Sequence, residues 1–358
     1  MQEEIGLQKN VPFEFRGNGW DYFKVWIVNA LLTLLTLGIY SPWAKVRNNQ
    51  YIYANSYLGG SAFEYTANPL RILLGRLIVV GFYAIFFMAL QFGYYAVAGI
   101  ITGLFVLLLP LFIRQAIAFR LRYTRFHGLS FRFSATIGDF YKFFLLHLLL
   151  NILTLTIIFP YTHNEFKKLV FTNSSYGNVP FEYDGKASSF FFLYFVKMLL
   201  LSLALFFIIC VILFTLGVLG AENEYGHPLS IYFIVITLFY TLMPLFYIGL
   251  FIASFILRGS FEAWLGQIVY NKTSIKEFKM TNEWSAFDLS LIYITNFLLI
   301  IVSLGFLYPY AKIRLTKYKL KNMGFESVSF EDFEGEAQRQ RSALGEETAD
   351  FFDFDIGF

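Results

Sequence analysis

Polar residues recur at fixed separations inside apolar stretches of this chain, and they are the first candidates for chemistry. Asn29, His147 and Asn296 are 118 and then 149 residues apart, and Thr36 and Ser303 are 267 apart, as Asn29 and Asn296 are. Polar side chains in an apolar helix line a path for solute or join neighbouring helices through hydrogen bonds of about 1 kcal/mol. We take these five residues as a candidate substrate-binding polar lining and keep helix–helix bonding as the structural alternative.

A second recurring set is cationic and follows the same apolar stretches. Lys45 and Arg47 have equivalents at Lys312 and Arg314, again 267 residues further on. Ammonium and guanidinium groups at a membrane interface can hold the phosphates of anionic lipid headgroups. Ordinary anchoring of a membrane segment by cations at its cytoplasmic end explains the same positions. The pattern predicts contact with membrane lipid, either at a specific headgroup site or as a general anchor.

Residue patterns typical of enzymes are missing from the sequence. The four histidines never fall into a His-Glu-x-x-His or comparable metal-binding spacing. The sequence contains no Gly-x-Ser-x-Gly elbow, phosphate loop or dinucleotide fingerprint. Its one cysteine, Cys210, lies in an apolar run and cannot form an internal disulfide. We therefore expect no catalysis, no metal site and no cofactor.

The recurring residues belong to a unit that occurs three times. Offsets of 118 and 267 also relate Pro42 to Pro160 and to Pro309 without a gap. A fixed period of this kind decides the architecture before other features are considered. Each unit has the pattern of a strand, a membrane helix, an interfacial helix and a second strand. The three repeats cover residues 11–66, 128–184 and 273–333.

Composition assigns the chain to the membrane proteins. Of its residues 57% are hydrophobic and 15% are charged, against about 25% charged in an average soluble domain. The net charge of +3 is too small to indicate a nucleic-acid partner, and no basic run interleaved with aromatic residues indicates one. The sequence predicts a mainly α-helical, polytopic integral membrane protein.

Two long apolar stretches between the repeats predict transmembrane hairpins. Between Arg76 and Arg114 lie 37 uncharged residues, enough for two spans folded near residues 93–99. The tail at the carboxyl end is acidic with scattered phenylalanines and has no packing pattern, which predicts disorder. The remaining boundaries are 1–10 for an N-terminal tail, 67–127 and 185–272 for the two hairpins, and 334–358 for the disordered acidic tail.

Two topologies fit the repeat helices. Between Lys24 and Lys45 lie 20 uncharged residues, about the 20 that cross a bilayer, so straight spans are one interpretation. Straight spans would place cations on both faces, which the positive-inside rule disfavours. If each repeat helix dips into the membrane and returns, the cations share one cytoplasmic face, and the short strands can pair there into a small sheet or barrel. The charge distribution favours this second topology.

The first repeat carries a longer motif that resembles a known family. The motif is Asn29-x-Leu-Leu-x-x-x-Thr-Leu-Gly-x-Tyr-x-Pro-Trp-Ala44, followed by Tyr51-x-Tyr-Ala-Asn55 and Phe63-x-Tyr65. It looks like the YjgN-like family of bacterial inner-membrane proteins, whose function is unknown. The similarity extends over residues 11–333. It implies a multi-pass fold in the bacterial inner membrane and supplies no catalytic residues.

Two classes of function are compatible with the sequence. The first is a structural, accessory or lipid-interacting membrane protein whose basic, aromatic face engages anionic lipid. The alternative is a transporter or channel-like protein, because membrane proteins built from repeats with broken helices bind solutes at the repeat interface. The small number of polar residues inside the apolar runs favours the first class, or movement of an apolar solute.

Overall fold

At the centre of the molecule is a closed barrel of ten short antiparallel strands. The computed structural model describes residues 9–225 and 229–327. Strands neighbour each other in chain order, and the first strand closes the barrel by pairing with the last as well as with the second. The strands are β1 (Lys9–Phe15), β2 (Ser56–Leu58), β3 (Ser61–Tyr65), β4 (Thr124–Phe126), β5 (Leu129–Phe133), β6 (Ser174–Tyr176), β7 (Val179–Tyr183), β8 (Thr273–Ile275), β9 (Phe278–Asn282) and β10 (Met323–Ser327).

Five helix pairs leave this barrel and return to it. Along the described chain, successive strands are joined alternately by a helix pair and by a tight turn. Neighbouring helices pack against each other in chain order, and the last helix packs against the first, so the helices form a closed ring. The pairs are α1 (Gly19–Leu35) with α2 (Ser41–Ala54), α3 (Pro69–Gln91) with α4 (Tyr95–Arg122), α5 (Ile137–Leu153) with α6 (Phe159–Thr172), α7 (Ala187–Tyr225) with α8 (Leu229–Tyr270), and α9 (Ala286–Val302) with α10 (Tyr308–Lys321).

The helices α1, α5 and α9 share their length and both of their ends. Each has 17 residues, and their first residues are 118 and 149 positions apart. Each begins after a polar cap residue whose side chain accepts a hydrogen bond from the backbone N–H of an aspartate, a stabilising arrangement for unpaired N–H groups at a helix start. The cap and aspartate pairs are Asn18 and Asp21, Thr136 and Asp139, and Ser285 and Asp288.

The same three helices end at a tight turn that reverses the chain. Two consecutive residues of each turn have positive φ, which costs little for glycine and more for residues with a Cβ. The pairs are Leu37-Gly38, Leu155-Thr156 and Leu304-Gly305. The turn sends the next helix back toward the barrel.

The strands on either side of each repeat helix pair are direct partners in the barrel. Phe13 of β1 lies opposite Leu58 of β2, and Phe133 of β5 lies opposite Ser174 of β6. Both ends of such a helix pair therefore lie at the barrel, as the dipping topology requires. A helix of 17 residues extends ~25 Å from it.

Three helical stretches of the described chain are long and apolar enough to cross a bilayer: Pro69–Gln91, Tyr95–Arg122 and Tyr247–Tyr270. The first two are α3 and α4, joined at 92–94, within the predicted hairpin 67–127. The molecule is therefore a mainly helical membrane protein. The predicted tail 334–358 and the last residues of the third repeat lie outside the described residues.

Aromatic rings fill the barrel. Strand residues alternate between the two faces, and the inward positions form a buried cluster that contains Leu58, Phe126 and Tyr176. Neighbouring rings contact each other around the interior, with Phe63 4.6 Å from Phe126 and 6.1 Å from Phe13 between ring centroids. Most outward positions are polar, for example the exposed Glu64, Arg125 and Glu182, so the barrel has a packed apolar core and a largely hydrophilic outer wall.

Large apolar side chains are exposed at the tips of the short helix pairs. Leu37 is 94% exposed, Leu155 83% and Leu304 90%. Soluble proteins rarely expose contiguous apolar surface of this kind. The tips have the surface expected of segments that lie in lipid.

Labelling the tips tests this placement. In a Cys210→Ser background, we expect a fluorescent dye on Leu37→Cys or Leu304→Cys to be quenched by nitroxide-labelled lipid and protected from aqueous iodide. A dye on Glu277→Cys, an exposed position in the turn between β8 and β9, should show the opposite pattern. Equal iodide quenching at positions 37 and 277 would contradict the membrane placement of the tips.

Candidate functional site

A cleft of about 700 Å³ lies between α1, α2 and the first turns of α10. Its polar wall contains Asn29, Asn48, Lys45 and Lys312, and its apolar wall includes Trp26, Leu34 and Leu37. Of the nine residues that the sequence singles out, the structure brings three together in this lining: Asn29, Lys45 and Lys312.

The walls of the cleft are held by hydrogen bonds between its own residues. Asn29, which is 2% exposed, donates from Nδ2 to Oδ1 of Asn48 at 3.1 Å and so joins α1 to α2. Pro42 in the first turn of α2 is compatible with a helix start, because it has no N–H to leave unpaired. These local features place Lys45 one turn into α2, where it forms part of the polar wall.

The two lysines of the cleft are the strongest electrostatic feature of this site. Burial lowers the pKa of Lys312, and its Nζ lies 5.4 Å from the ring centroid of Tyr22. Burial of the ammonium group, followed by the charges of Arg76 and Arg120, lowers the pKa of Lys45. The cleft lining contains no carboxylate. Lys45 is exposed and Lys312 is half-buried, so an anion that entered the cleft would interact favourably with both ammonium groups.

Thr36 and Ser303 lie at the ends of α1 and α9, where they bond to their own chain. Thr36 Oγ1 donates to the carbonyl of Leu32 at 2.8 Å and accepts from the N–H of Tyr40 at 3.0 Å. Ser303 makes the matching bonds to Leu299 and Leu307 at 2.7 and 2.9 Å. These bonds stabilise the tight turn, and neither residue lines the cleft.

His147 and Asn296, the counterparts of Asn29, are buried in their own parts of the ring. His147 Nδ1 donates to the carbonyl of Phe143 at 2.8 Å, and the two rings stack with centroids 4.1 Å apart. Asn296 donates from Nδ2 to the carbonyl of Ala311 at 2.9 Å, which joins α9 to α10. The structure therefore gives Asn296 the same joining role that Asn29 has between α1 and α2.

The two predicted arginines lie outside the cleft lining. The guanidinium of Arg47 is exposed and lies 5.8 Å from the ring centroid of Tyr40. Arg314 donates to Thr295 Oγ1 at 2.7 Å and lies 3.5 Å from Asn296 Oδ1. The predicted lipid-contacting set thus divides into two lysines that share a cavity and two arginines that contact their own helix pairs.

A second cavity, of about 530 Å³, lies between the barrel and the surrounding helices. The returning helices α2, α4, α6, α8 and α10 all contribute to its wall, and Phe13 and Phe63 belong to the barrel side. Charged side chains enter it from four of these helices: Arg120, Lys167, Glu262 and Lys319. The sequence does not indicate this site, because the four residues are spread over about 200 positions and each resembles an ordinary interfacial charge.

Only part of this charge is paired inside the molecule. Glu262 accepts hydrogen bonds from Nζ of Lys319 and from the hydroxyl of Tyr293. Arg120 lies against the hydroxyl of Tyr53 and near Tyr270. Burial lowers the pKa of Lys167. The cavity thus holds three cations and one carboxylate.

The described residues contain no group of three or more histidine, cysteine, aspartate or glutamate side chains placed to hold a metal ion. The polar chemistry of both cavities is instead that of ammonium, guanidinium, amide and hydroxyl groups. These groups bind anions and hydrogen-bond acceptors.

A family model described as a bacterial protein of unknown function, DUF898, matches residues 10–351. The chain belongs to the DUF898 family. The match includes every helix of the described residues and nearly all of the barrel, so the fold described above is that of a DUF898 protein. The resemblance that the first repeat indicates, to inner-membrane proteins of the YjgN type, is confirmed by curated relatives.

Three proteins called inner membrane protein YjgN are similar to this DUF898 chain. The protein of Salmonella typhimurium strain LT2 is 31% identical over 127 residues, which cover 36% of this chain and 32% of the relative. The protein of Escherichia coli O157:H7 is 30% identical over 164 residues, 46% of this chain and 40% of the relative. That of Escherichia coli K12 is 32% identical over 129 residues, 36% and 32% of the two chains.

The matched segments thus span between about a third and two fifths of the curated relatives. No solved structure matches the chain.

Proposed function

We propose that this protein is a multi-pass protein of the bacterial inner membrane that binds anionic phospholipid in the cleft between α1, α2 and α10. The proposed role is lipid interaction and not catalysis. One observation carries the proposal: Lys45 and Lys312 line the same cleft as an apolar wall, and no carboxylate lines that cleft. A phospholipid has the complementary chemistry, an anionic phosphate joined to acyl chains.

The location in the inner membrane is supported by the names of the curated relatives. The proposed orientation places the barrel and its basic residues on the cytoplasmic side, in accordance with the positive-inside rule. The exposed apolar tips at Leu37, Leu155 and Leu304 then lie in the bilayer. A headgroup held by Lys45 and Lys312 would lie at the cytoplasmic interface, with its acyl chains along Leu34 and Leu37.

Retention of phosphatidylglycerol in purified protein tests the proposal. An anionic headgroup gains about 1 kcal/mol from each nearby lysine, so removing two should weaken binding about 30-fold. We expect Lys45→Met combined with Lys312→Met to lose the bound lipid, as counted by native mass spectrometry from nanodiscs of mixed phosphatidylcholine and phosphatidylglycerol.

The control is a double variant with the same change of charge. Lys24→Met with Lys317→Met removes one exposed lysine from each of α1 and α10, outside the cleft lining. This control should retain phosphatidylglycerol as the unsubstituted protein does. Equal retention by both double variants would show that the cleft does not select anionic lipid.

Transport of a solute is the second candidate function. The cavity between the barrel and the returning helices favours it, because the charged lining is gathered from several helix pairs. A transported solute would cross the ring at this point, and its release would require movement of the aromatic rings that fill the barrel. Flux measured in liposomes that is abolished by Arg120→Gln, a change in the lining of this cavity, would support transport, and equal flux in protein-free liposomes would exclude it.

A further inference from the structure

The cavity between the barrel and the returning helices has features of a ligand site of its own, separate from the lipid cleft. Its volume of about 530 Å³ lies within the range of about 300–1,000 Å³ that is usual for small-molecule sites. The lining residues come from all five helix pairs and from five strands, β1, β2, β3, β4 and β10. A ligand here would contact most of the ring at once.

The charge inside this cavity is unbalanced. Glu262 is bonded by Lys319 and by Tyr293, so that carboxylate has its partners. Arg120 and Lys167 remain as two further cations, and no other carboxylate lines the cavity. A charge that leaves water without a counter-ion is costly. The cavity is therefore suited to an anion.

Lys167 is the residue on which this imbalance is clearest. It is half-buried on α6, and burial lowers its pKa with no compensating influence from a carboxylate of the described residues. Its chain neighbour Lys168 is exposed and does not line the cavity. The helix therefore places one lysine at the cavity and the next outside it.

The rest of the wall is apolar, which narrows the class of ligand. Leu265, Val269, Trp284 and Leu320 line the cavity together with the barrel residue Phe13. A small inorganic anion would leave this apolar wall without a partner. An alkyl chain joined to an anionic group would cover both parts of the lining.

We infer that the cavity binds an amphiphilic anion, an alkyl phosphate or alkyl carboxylate, with its anionic group between Arg120 and Lys167 and its chain against Leu265 and Trp284. The site is separate from the proposed lipid cleft, since no residue lines both cavities. The anionic group could belong to a lysophospholipid or to a water-soluble organic anion, and both supply the same chemistry.

Binding of decyl phosphate to the full-length protein in phosphatidylcholine nanodiscs tests this assignment. We expect decyl phosphate to bind, and decanol, which has the same chain without the charge, to bind at least 10-fold more weakly. Lys167→Met should weaken decyl phosphate binding about 10- to 100-fold, the usual effect of losing a charge-assisted hydrogen bond. Lys167→Arg should restore it, and Lys168→Met should leave it unchanged.

Two competition experiments distinguish a lipid ligand from a water-soluble anion. If inorganic phosphate competes with decyl phosphate at equal concentration, the site binds free anions, and the proposal of an amphiphilic ligand is overturned. Lysophosphatidate that competes better than a soluble organic phosphate would assign it to lipid products. The cleft variant Lys45→Met with Lys312→Met should bind decyl phosphate normally, so the two sites can fail separately.

A measurement on the unsubstituted protein covers the case in which Lys167→Met does not fold. Decyl phosphate should protect Lys167 from reductive methylation, as read by mass spectrometry, and leave Lys168 reactive. Equal methylation of Lys167 with and without decyl phosphate would overturn the assignment, as would equal binding of decanol and decyl phosphate.

Discussion

Replacing Gly259 with alanine should prevent α8 and α9 from packing and so leave little folded protein. A Cβ at position 259 would lie 2.4 Å from the backbone nitrogen of Ser290 and 2.6 Å from its Cα. Backbone atoms cannot move aside as a flexible side chain can, so the two helices must separate. Overpacking typically costs about 1–3 kcal/mol, and contact with rigid backbone places this case at the upper end.

The separation also removes a hydrogen bond between the two helices. The single hydroxyl hydrogen of Ser290 is shared between the carbonyl of Ile256 in α8, 3.1 Å from Oγ, and that of Ala286 in its own helix, 2.7 Å from Oγ. We expect the yield of monodisperse protein on size-exclusion chromatography in detergent to fall several-fold and the thermal midpoint to drop. Gly249→Ala is the matched control, since the new Cβ would meet no atom within 4 Å. If the two variants behave alike, the close approach of α8 and α9 does not stabilise the ring.

Phe126→Ala should be the most damaging single truncation in the barrel. Phe126 is 2% exposed and belongs to the buried cluster that fills the barrel. Its ring centroid lies 4.6 Å from that of Phe63 and 6.1 Å from that of Tyr176, so its loss leaves a gap between three strands. Removing a buried phenylalanine ring costs about 3–5 kcal/mol, much of the stability of a typical domain.

Thermal unfolding in detergent, followed by circular dichroism, measures this effect. The control is Phe287→Ala, because Phe287 is 73% exposed at the start of α9 and loses few protein contacts when it is truncated. We expect a clear fall in the unfolding midpoint for position 126 and little change for position 287. A small effect at both positions would show that the aromatic packing of the barrel contributes little to stability.

The sequence indicates where the first helix of each repeat begins, because its first turn carries local signals. Asn18, Thr136 and Ser285 are polar caps three residues before an aspartate. Such signals depend on neighbouring residues alone, so they can be read without knowing the fold. The same holds for the hairpin α3–α4, whose apolar length is sufficient evidence by itself.

The barrel was only partly predictable. The sequence indicates six strands beside the repeats, whereas the described residues form ten. Four of the ten, β2, β4, β6 and β8, have only three residues each, too few to show alternation of apolar and polar side chains. Their partners across each turn are longer and carry the visible pattern, for example Phe63-Glu64-Tyr65 in β3.

Of the two candidate sites, the sequence indicates residues of the first and does not indicate the second. Asn29, Lys45 and Lys312 were found because the repeat draws attention to them, and they share a cleft. Arg120, Lys167 and Glu262 were missed because they meet only when separate helix pairs return to one barrel. A carboxylate within the last turns of a long apolar segment, as at Glu262, was the one available signal. Their proximity can be predicted only when the arrangement of the helices in a closed ring is known.

The pairing of β1 with β10 has a consequence for biosynthesis. Val11 lies opposite Phe325, so the barrel cannot close until the ribosome has released residues 323–327. The membrane helices, which need only local contacts, can enter the translocon much earlier. During that interval β1 and β9 are unprotected edges, prone to pairing with other chains. Membrane insertion would thus precede barrel assembly, and a nascent chain stopped before position 323 should be a target for quality-control proteases.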